Sequence, residues 1–130
     1  MKIIYPAIFH KEGNQFWVEF PDLEGCHTYG ENLEETLFYA KEALELHAAT
    51  LLESGEKLNA PTDISSLDTD SNSFATLVYG DIDNYLSSGK AIKKTLTIPE
   101  WVNKLGIENN INFSQTLTDA ILHQYMRETR

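Results

Sequence analysis

At 130 residues the chain has room for one domain or two small ones. No apolar run comes near the roughly 18 residues of a membrane-spanning helix, and no signal peptide is evident, so a soluble, cytoplasmic protein without a membrane partner is expected. The single cysteine, Cys26, excludes an internal disulfide and agrees with a reducing compartment. The net charge of −10 is unevenly spread. Residues 1–89 hold four lysines against 16 acids, or −12, whereas residues 90–130 hold six basic residues against four acids, or +2. Such a division suggests two different partners, because the acidic part repels nucleic acid and attracts a basic protein while the tail can approach phosphate. A simpler reading is that most of the acids only keep a small protein in solution.

Residues 3–10 read as a strand, Lys11-Glu12-Gly13-Asn14 as a hairpin turn, and residues 15–20 as a second strand. In that second strand Phe16, Val18 and Phe20 alternate with Trp17 and Glu19, which gives one strongly apolar face. Pro21-Asp22-Leu23-Glu24-Gly25 is a turn, and residues 26–29 can form a third short strand. Asn32 with Glu35 three residues on has the arrangement of a capping box. Leu33, Leu37, Ala40, Leu44, Ala48 and Leu51 then recur at three- and four-residue steps, and Gly55 stands where a C-terminal cap belongs. The resulting helix is expected to lie across the sheet. Residues 56–72 are polar and irregular, with room for one helical turn at residues 63–67. Residues 74–79 make a fourth strand, and Ser87-Ser88-Gly89 is the best linker candidate. Domains at 1–86 and 87–130 follow.

The second domain opens on Lys93-Lys94-Thr95-Leu96-Thr97-Ile98-Pro99. A half-buried strand alternates, so Leu96 and Ile98 point one way and Lys93, Thr95 and Thr97 the other. Pro99 ends the strand and pre-sets the first turn of a helix that runs to about Glu108 and buries Val102, Leu105 and Trp101. Asn109-Asn110-Ile111-Asn112 is the turn, since asparagine tolerates the left-handed conformation. Ser114 is the expected N-cap of a last helix whose inward face carries Leu117, Ala120, Ile121 and Tyr125. One strand and two helices in about 38 residues cannot bury a core alone, so a homodimer with an antiparallel ribbon is expected. The plainer alternative is a helical hairpin with a solvated lysine strand.

This tail resembles the ribbon-helix-helix family of DNA-binding proteins. The resemblance implies that Lys93, Thr95 and Thr97 read base edges in the major groove and that the helix start at Ser114 holds a backbone phosphate. The run from Phe16 through Pro21-Asp22-Leu23-Glu24-Gly25-Cys26-His27-Thr28-Tyr29-Gly30 to Leu33-Glu34-Glu35 is similar to the HicB antitoxin family. That likeness covers residues 3–54 well and 74–82 more loosely. The fold it implies is α+β: an N-terminal partial ribonuclease-H-like β-β-β-α-β domain, an antiparallel sheet with one helix, followed by the ribbon-helix-helix. The function it implies is neutralisation of a HicA-like toxin, a small basic ribonuclease that cleaves mRNA, together with repression of the chain's own operon through operator DNA. Assemblies larger than a dimer are open when toxin is bound. A stand-alone ribbon-helix-helix repressor with a ligand-sensing or oligomerising N-terminal domain is the alternative.

No enzymatic chemistry is expected. Asp22 and Glu24 lie together in a turn, without a third converging acid for a metal site, and are offered instead as toxin contacts. Neither a cofactor nor a metal is called for. Cys26 and His27 are neighbours in a strand and face opposite sides, so Cys26 reads as a buried structural thiol. His10, His47 and His123 are scattered along the chain, and no glycine-rich phosphate loop is present.

Overall fold

The computed structural model describes residues 1–86 and 91–129, with residues 127–129 described by their backbone. The proposed Ser87-Ser88-Gly89 linker lies outside the described residues. The chain divides into two compact units, the first built from residues 1–86 and the second holding α2 (Glu100–Glu108) and all but the last residue of α3 (Phe113–Thr129).

In the first unit, β1 (Lys2–Glu12), β2 (Gln15–Glu19), β3 (His27–Gly30) and β4 (Ser73–Asp81) form one antiparallel sheet in the order β3-β2-β1-β4. The β1–β2 hairpin closes over two residues, with Gly13 at φ 62°, where a side chain would be strained. Pro6 sits inside β1 without breaking it, because β2 pairs only with residues 8–12 and leaves that side of β1 open at Pro6.

The alternation in β1 sends Ile3, Tyr5, Ala7 and Phe9 to one face, all essentially inaccessible. Phe9 aligns with Val18 on one side and with Phe74 on the other, and the Phe9 and Phe74 rings stack at 5.2 Å. Helix α1 (Leu33–Glu53) covers this face. Its start is the expected capping box: Glu35 N donates to Asn32 Oδ1 at 2.8 Å, and Glu31 N donates to the Glu35 carboxylate at 2.8 Å. Its end is a Schellman motif, in which Gly55 at φ 72° donates to Leu52 O and Glu56 N donates to Leu51 O at 2.9 Å.

Two glycines let the helix lie close against the sheet. A Cβ at Gly30 would overlap Thr36, and one at Gly80 would stand 2.8 Å from Glu45 Cγ. The stripe that meets the sheet is consequently Thr36, Ala40, Leu44, Ala48 and Ala49, with Glu45 beside it. Leu33 and Leu37, expected inward from their spacing, remain about half exposed. The apolar arc of α1 is wider than its contact with the sheet.

The long segment 56–72 is tied down. Leu58 is fully buried, Tyr5 donates its hydroxyl to Asn59 O at 2.6 Å, and residues 64–66 make one 3₁₀ turn capped by Asp63. The turn expected at residues 63–67 is thus present.

In the second unit, Pro99 leads into α2 as its N-cap, and Asn110 takes φ 54° in the turn before α3. The N-cap of α3 is not Ser114. Asn112 Oδ1 accepts from Gln115 N at 3.0 Å, and Asn112 O accepts from Thr116 N at 2.9 Å, so the helix begins one residue before Ser114. Both residue types cap well, and the one placed to reach the third following N–H takes the role. Phe113 then packs over Gly106, where a Cβ would overlap its ring.

Candidate protein- and DNA-binding surfaces

The corner joining β2 to β3 carries Asp22 and Glu24. Its backbone closes on itself, with Leu23 N donating to Phe20 O at 3.0 Å and Cys26 N donating to Leu23 O at 3.0 Å. Asp22 does not project freely. Its carboxylate accepts from Thr62 N at 2.8 Å and from the Thr62 hydroxyl, while its carbonyl accepts from Asn59 Nδ2 at 2.9 Å. Asp22 therefore fastens segment 56–72 to the corner. Glu24 is exposed. A contact 40 residues away in sequence leaves no local signal, which is why sequence reasoning missed this clamp.

Behind the corner, Cys26 is buried, with Sγ 3.6 Å from Ala43 O. Burial pushes its thiol up to about 12, so it stays protonated and is a poor nucleophile or metal ligand. His10 stacks on Trp17 at 3.9 Å, and its Nε2 lies 3.6 Å from a Glu19 oxygen. Among the described residues no three His, Cys, Asp or Glu side chains come together as a metal site. No helix among them is long and apolar enough to cross a membrane.

Glu45 is a second feature that the sequence concealed. It is 2% exposed, yet fully partnered. Its carboxylate accepts from Lys41 Nζ at 2.8 Å, from Asp81 N at 2.6 Å and from Asn84 Nδ2 at 3.3 Å. A buried carboxylate needs this degree of pairing to be tolerated. It locks α1 to the end of β4. At the same end, hydrogen bonding to the Met1 ammonium holds Asp81 down at about 2, and Lys2 adds an ion pair at 3.1 Å.

In the second unit, residues 91–99 have no regular secondary structure in the single chain, so the strand expected over Lys93 to Thr97 is not formed there. A strand needs a hydrogen-bonding neighbour, and among the described residues none pairs with segment 91–99. Lys93, Thr95 and Thr97 are exposed, and so is Ser114, whose carbonyl accepts from the Thr118 hydroxyl at 2.9 Å. The apolar residues of the same segment are exposed as well: Leu96 is 55% and Leu105 49% accessible, and Ile98, Trp101, Leu117 and Ile121 are similarly open. The burial expected for Trp101 and Leu105 is absent in one chain. Only Gly106 is buried in α2.

Residues 5–123 match the family described as the HicB-like antitoxin of bacterial toxin–antitoxin systems. The chain belongs to the HicB-like antitoxin family. A chain of a toxin–antitoxin complex from Streptococcus pneumoniae is 40% identical, with 95% of this chain and 99% of that one covered and a TM-score of 0.63. The Burkholderia pseudomallei antitoxin HicB is 25% identical, with 92% and 96% covered and a TM-score of 0.60. An uncharacterized 14.9 kDa protein from the rep-hol intergenic region of Haemophilus phage HP1 (strain HP1c1) is 31% identical over 99 residues, which is 75% of this chain and 74% of that protein. The antitoxin likeness thus reaches across both units. With the two solved structures the chain shares the α+β architecture described above, which among the described residues is one four-stranded antiparallel sheet and three α-helices.

Proposed function

We propose that this HicB-like antitoxin neutralises a HicA-like, basic, mRNA-cleaving ribonuclease through residues 1–86 and represses its own operon through residues 87–130. The observation that carries the first half is the 40% identity, over nearly the whole chain, to a chain of a toxin–antitoxin complex. The charge of −12 on residues 1–89 supports a basic partner and speeds encounter with it. In this reading the antitoxin acts by covering the toxin and performs no catalysis of its own.

The second half rests on a different argument. The second unit leaves Leu96, Ile98, Leu105, Leu117 and Ile121 accessible, a set that one chain cannot cover and a second copy can. In a ribbon-helix-helix dimer the two 93–97 segments pair antiparallel, which supplies the missing strand neighbour. The six outward side chains, Lys93, Thr95 and Thr97 from each copy, then enter one major groove. The start of α3 offers backbone N–H groups to phosphate, with Ser114 in the first turn and Asn112 as the cap.

Co-expression with a HicA-like basic ribonuclease, followed by co-purification and an RNA-cleavage assay, tests neutralisation. Titration of the operator region against random DNA tests repression. A chain that binds the operator but neither binds nor inhibits the ribonuclease would instead be a stand-alone repressor.

A further inference from the structure

A run of exposed apolar side chains in the first unit lies along the β4 edge of its sheet. Strand β4 ends the sheet, and among the described residues no strand pairs with its outer side. Its nine residues, Ser73-Phe74-Ala75-Thr76-Leu77-Val78-Tyr79-Gly80-Asp81, contain no lysine, no arginine and no proline, the residues that usually blunt such an edge. Leu77 is 53% and Tyr79 50% accessible. Beside the edge runs a groove whose other wall is the flank of α1, formed by Glu34, Leu37, Phe38 and Lys41. Phe38 is 58% accessible, and Leu37 is one of the leucines that the sheet contact leaves outside. Apolar side chains thus stand on both sides of an unpaired backbone, the arrangement that strand addition uses.

The charge of the groove selects its occupant. Glu34 lines it, and the adjoining surface around Phe38 is made by Glu31, Glu34 and Glu35. The one cation in the groove, Lys41, is already held by Glu45 at 2.8 Å. At the far end of the strand Lys2 is held by Asp81 at 3.1 Å and lies over the Tyr79 ring. The field left over is negative. A second copy adding its own β4 across the edge would bring two acidic helix starts together, which costs association rather than favouring it.

We infer that the β4 edge and the Leu37–Phe38 flank of α1 dock an extended segment of a cationic protein. The segment adds as a fifth strand, sets apolar side chains against Phe38 and Leu77, and directs basic side chains to Glu31 and Glu34. This inference rests on the antitoxin reading for the identity of that protein, the basic ribonuclease. It locates the contact on β4 and α1, away from the corner at Asp22 and Glu24.

The test uses the full chain and a purified HicA-like basic ribonuclease, the partner of the antitoxin reading. Hydrogen exchange with and without that protein should show new protection in residues 73–81 and none confined to residues 21–25. Leu77→Lys and Phe38→Ser, both at exposed positions, should each raise Kd by about tenfold or more with an unchanged thermal midpoint. Tyr79→Ala serves as the second edge variant should Leu77→Lys perturb folding. Wild-type binding that is unaltered by these variants, without protection of residues 73–81, overturns the inference and leaves the antitoxin reading standing. No binding by the wild type overturns both. If Leu77→Lys instead abolishes self-association of the isolated chain, the edge belongs to a second copy and the cationic occupant is wrong.

Discussion

The two units show the same alternation and the same helical spacing, and they use their apolar residues in opposite ways. In the first, Ile3, Tyr5, Phe9, Val18 and Leu44 disappear between one sheet and one helix of the same chain. In the second, Leu96, Ile98, Leu105, Leu117 and Ile121 occupy equally regular positions and stay in water. The first unit has four strands and a 21-residue helix to close a core. The second has a 9-residue and a 17-residue helix and, among the described residues, no paired strand, too little to enclose one. A hydrophobic pattern reports that a face will be covered. It does not report by which molecule.

The sharpest break in this comparison comes from separating the units. A fragment of residues 1–86 should keep a cooperative unfolding transition while losing the proposed tail-mediated dimer and the proposed operator binding. Light scattering and an operator titration on that fragment give the answer, and specific DNA binding by it would end the two-unit division of labour.

Core substitutions sharpen the same contrast. Leu44→Ala should cost about 2–5 kcal/mol of unfolding free energy at any protein concentration, because its cavity is closed by one chain. Ile121→Ala should act through the proposed dimerisation, so its effect on the thermal midpoint should be small in dilute solution and grow towards a plateau as concentration rises. Denaturant melts at two concentrations separate these outcomes, and equal concentration dependence for both would contradict the contrast.

At the proposed DNA surface, Thr95→Ala and Thr97→Ala should each cost roughly 1–3 kcal/mol of specific binding per affected contact and relax sequence preference. Lys93→Ala should behave likewise at a guanine. Ser114→Ala should weaken all sequences about equally if, as proposed, the α3 start meets phosphate, because Asn112 holds the cap. Operator and random DNA titrated side by side distinguish base reading from phosphate holding.

Within the first unit, Asp22→Ala should loosen segment 56–72, at roughly 0.5–1.5 kcal/mol for each hydrogen bond lost from Thr62. Glu24→Ser should leave stability unchanged, and proteolysis within residues 56–72 reports the difference. If Asp22→Ser and Glu24→Ser together also slow association with the ribonuclease at low salt, the corner joins the contact surface.

The smallest effect is in acid. Asp81 is held at about 2 when folded, below the roughly 3.9 of an unfolded aspartate. Its contribution is therefore present above pH 4 and is lost as pH falls from about 4 to 2. Asp81→Asn should flatten that part of the stability–pH curve, and only slightly, because the carboxylate is partly in solvent.

Several elements of this protein were written locally. The Asn32–Glu35 capping box, the Gly55 end of α1, the turn at residues 63–67 and the Asn109–Asn112 turn depend on groups within a few residues of one another, so the chain encodes them directly. The antitoxin resemblance was legible for the same reason, since the corner after β2 is a continuous run. Tertiary structure decided the rest. Asp22 clamps Thr62 instead of standing free, Glu45 is buried because Lys41, Asp81 and Asn84 converge on it, and Gly30 and Gly80 set how closely α1 approaches the sheet. At α3, Asn112 and Ser114 are both competent caps, and the backbone at the turn chose between them. Leu33 and Leu37 carry the same helical period as Leu44, yet they stay outside the contact between helix and sheet. Pattern is a property of one segment, whereas burial is a property of the surfaces that meet it.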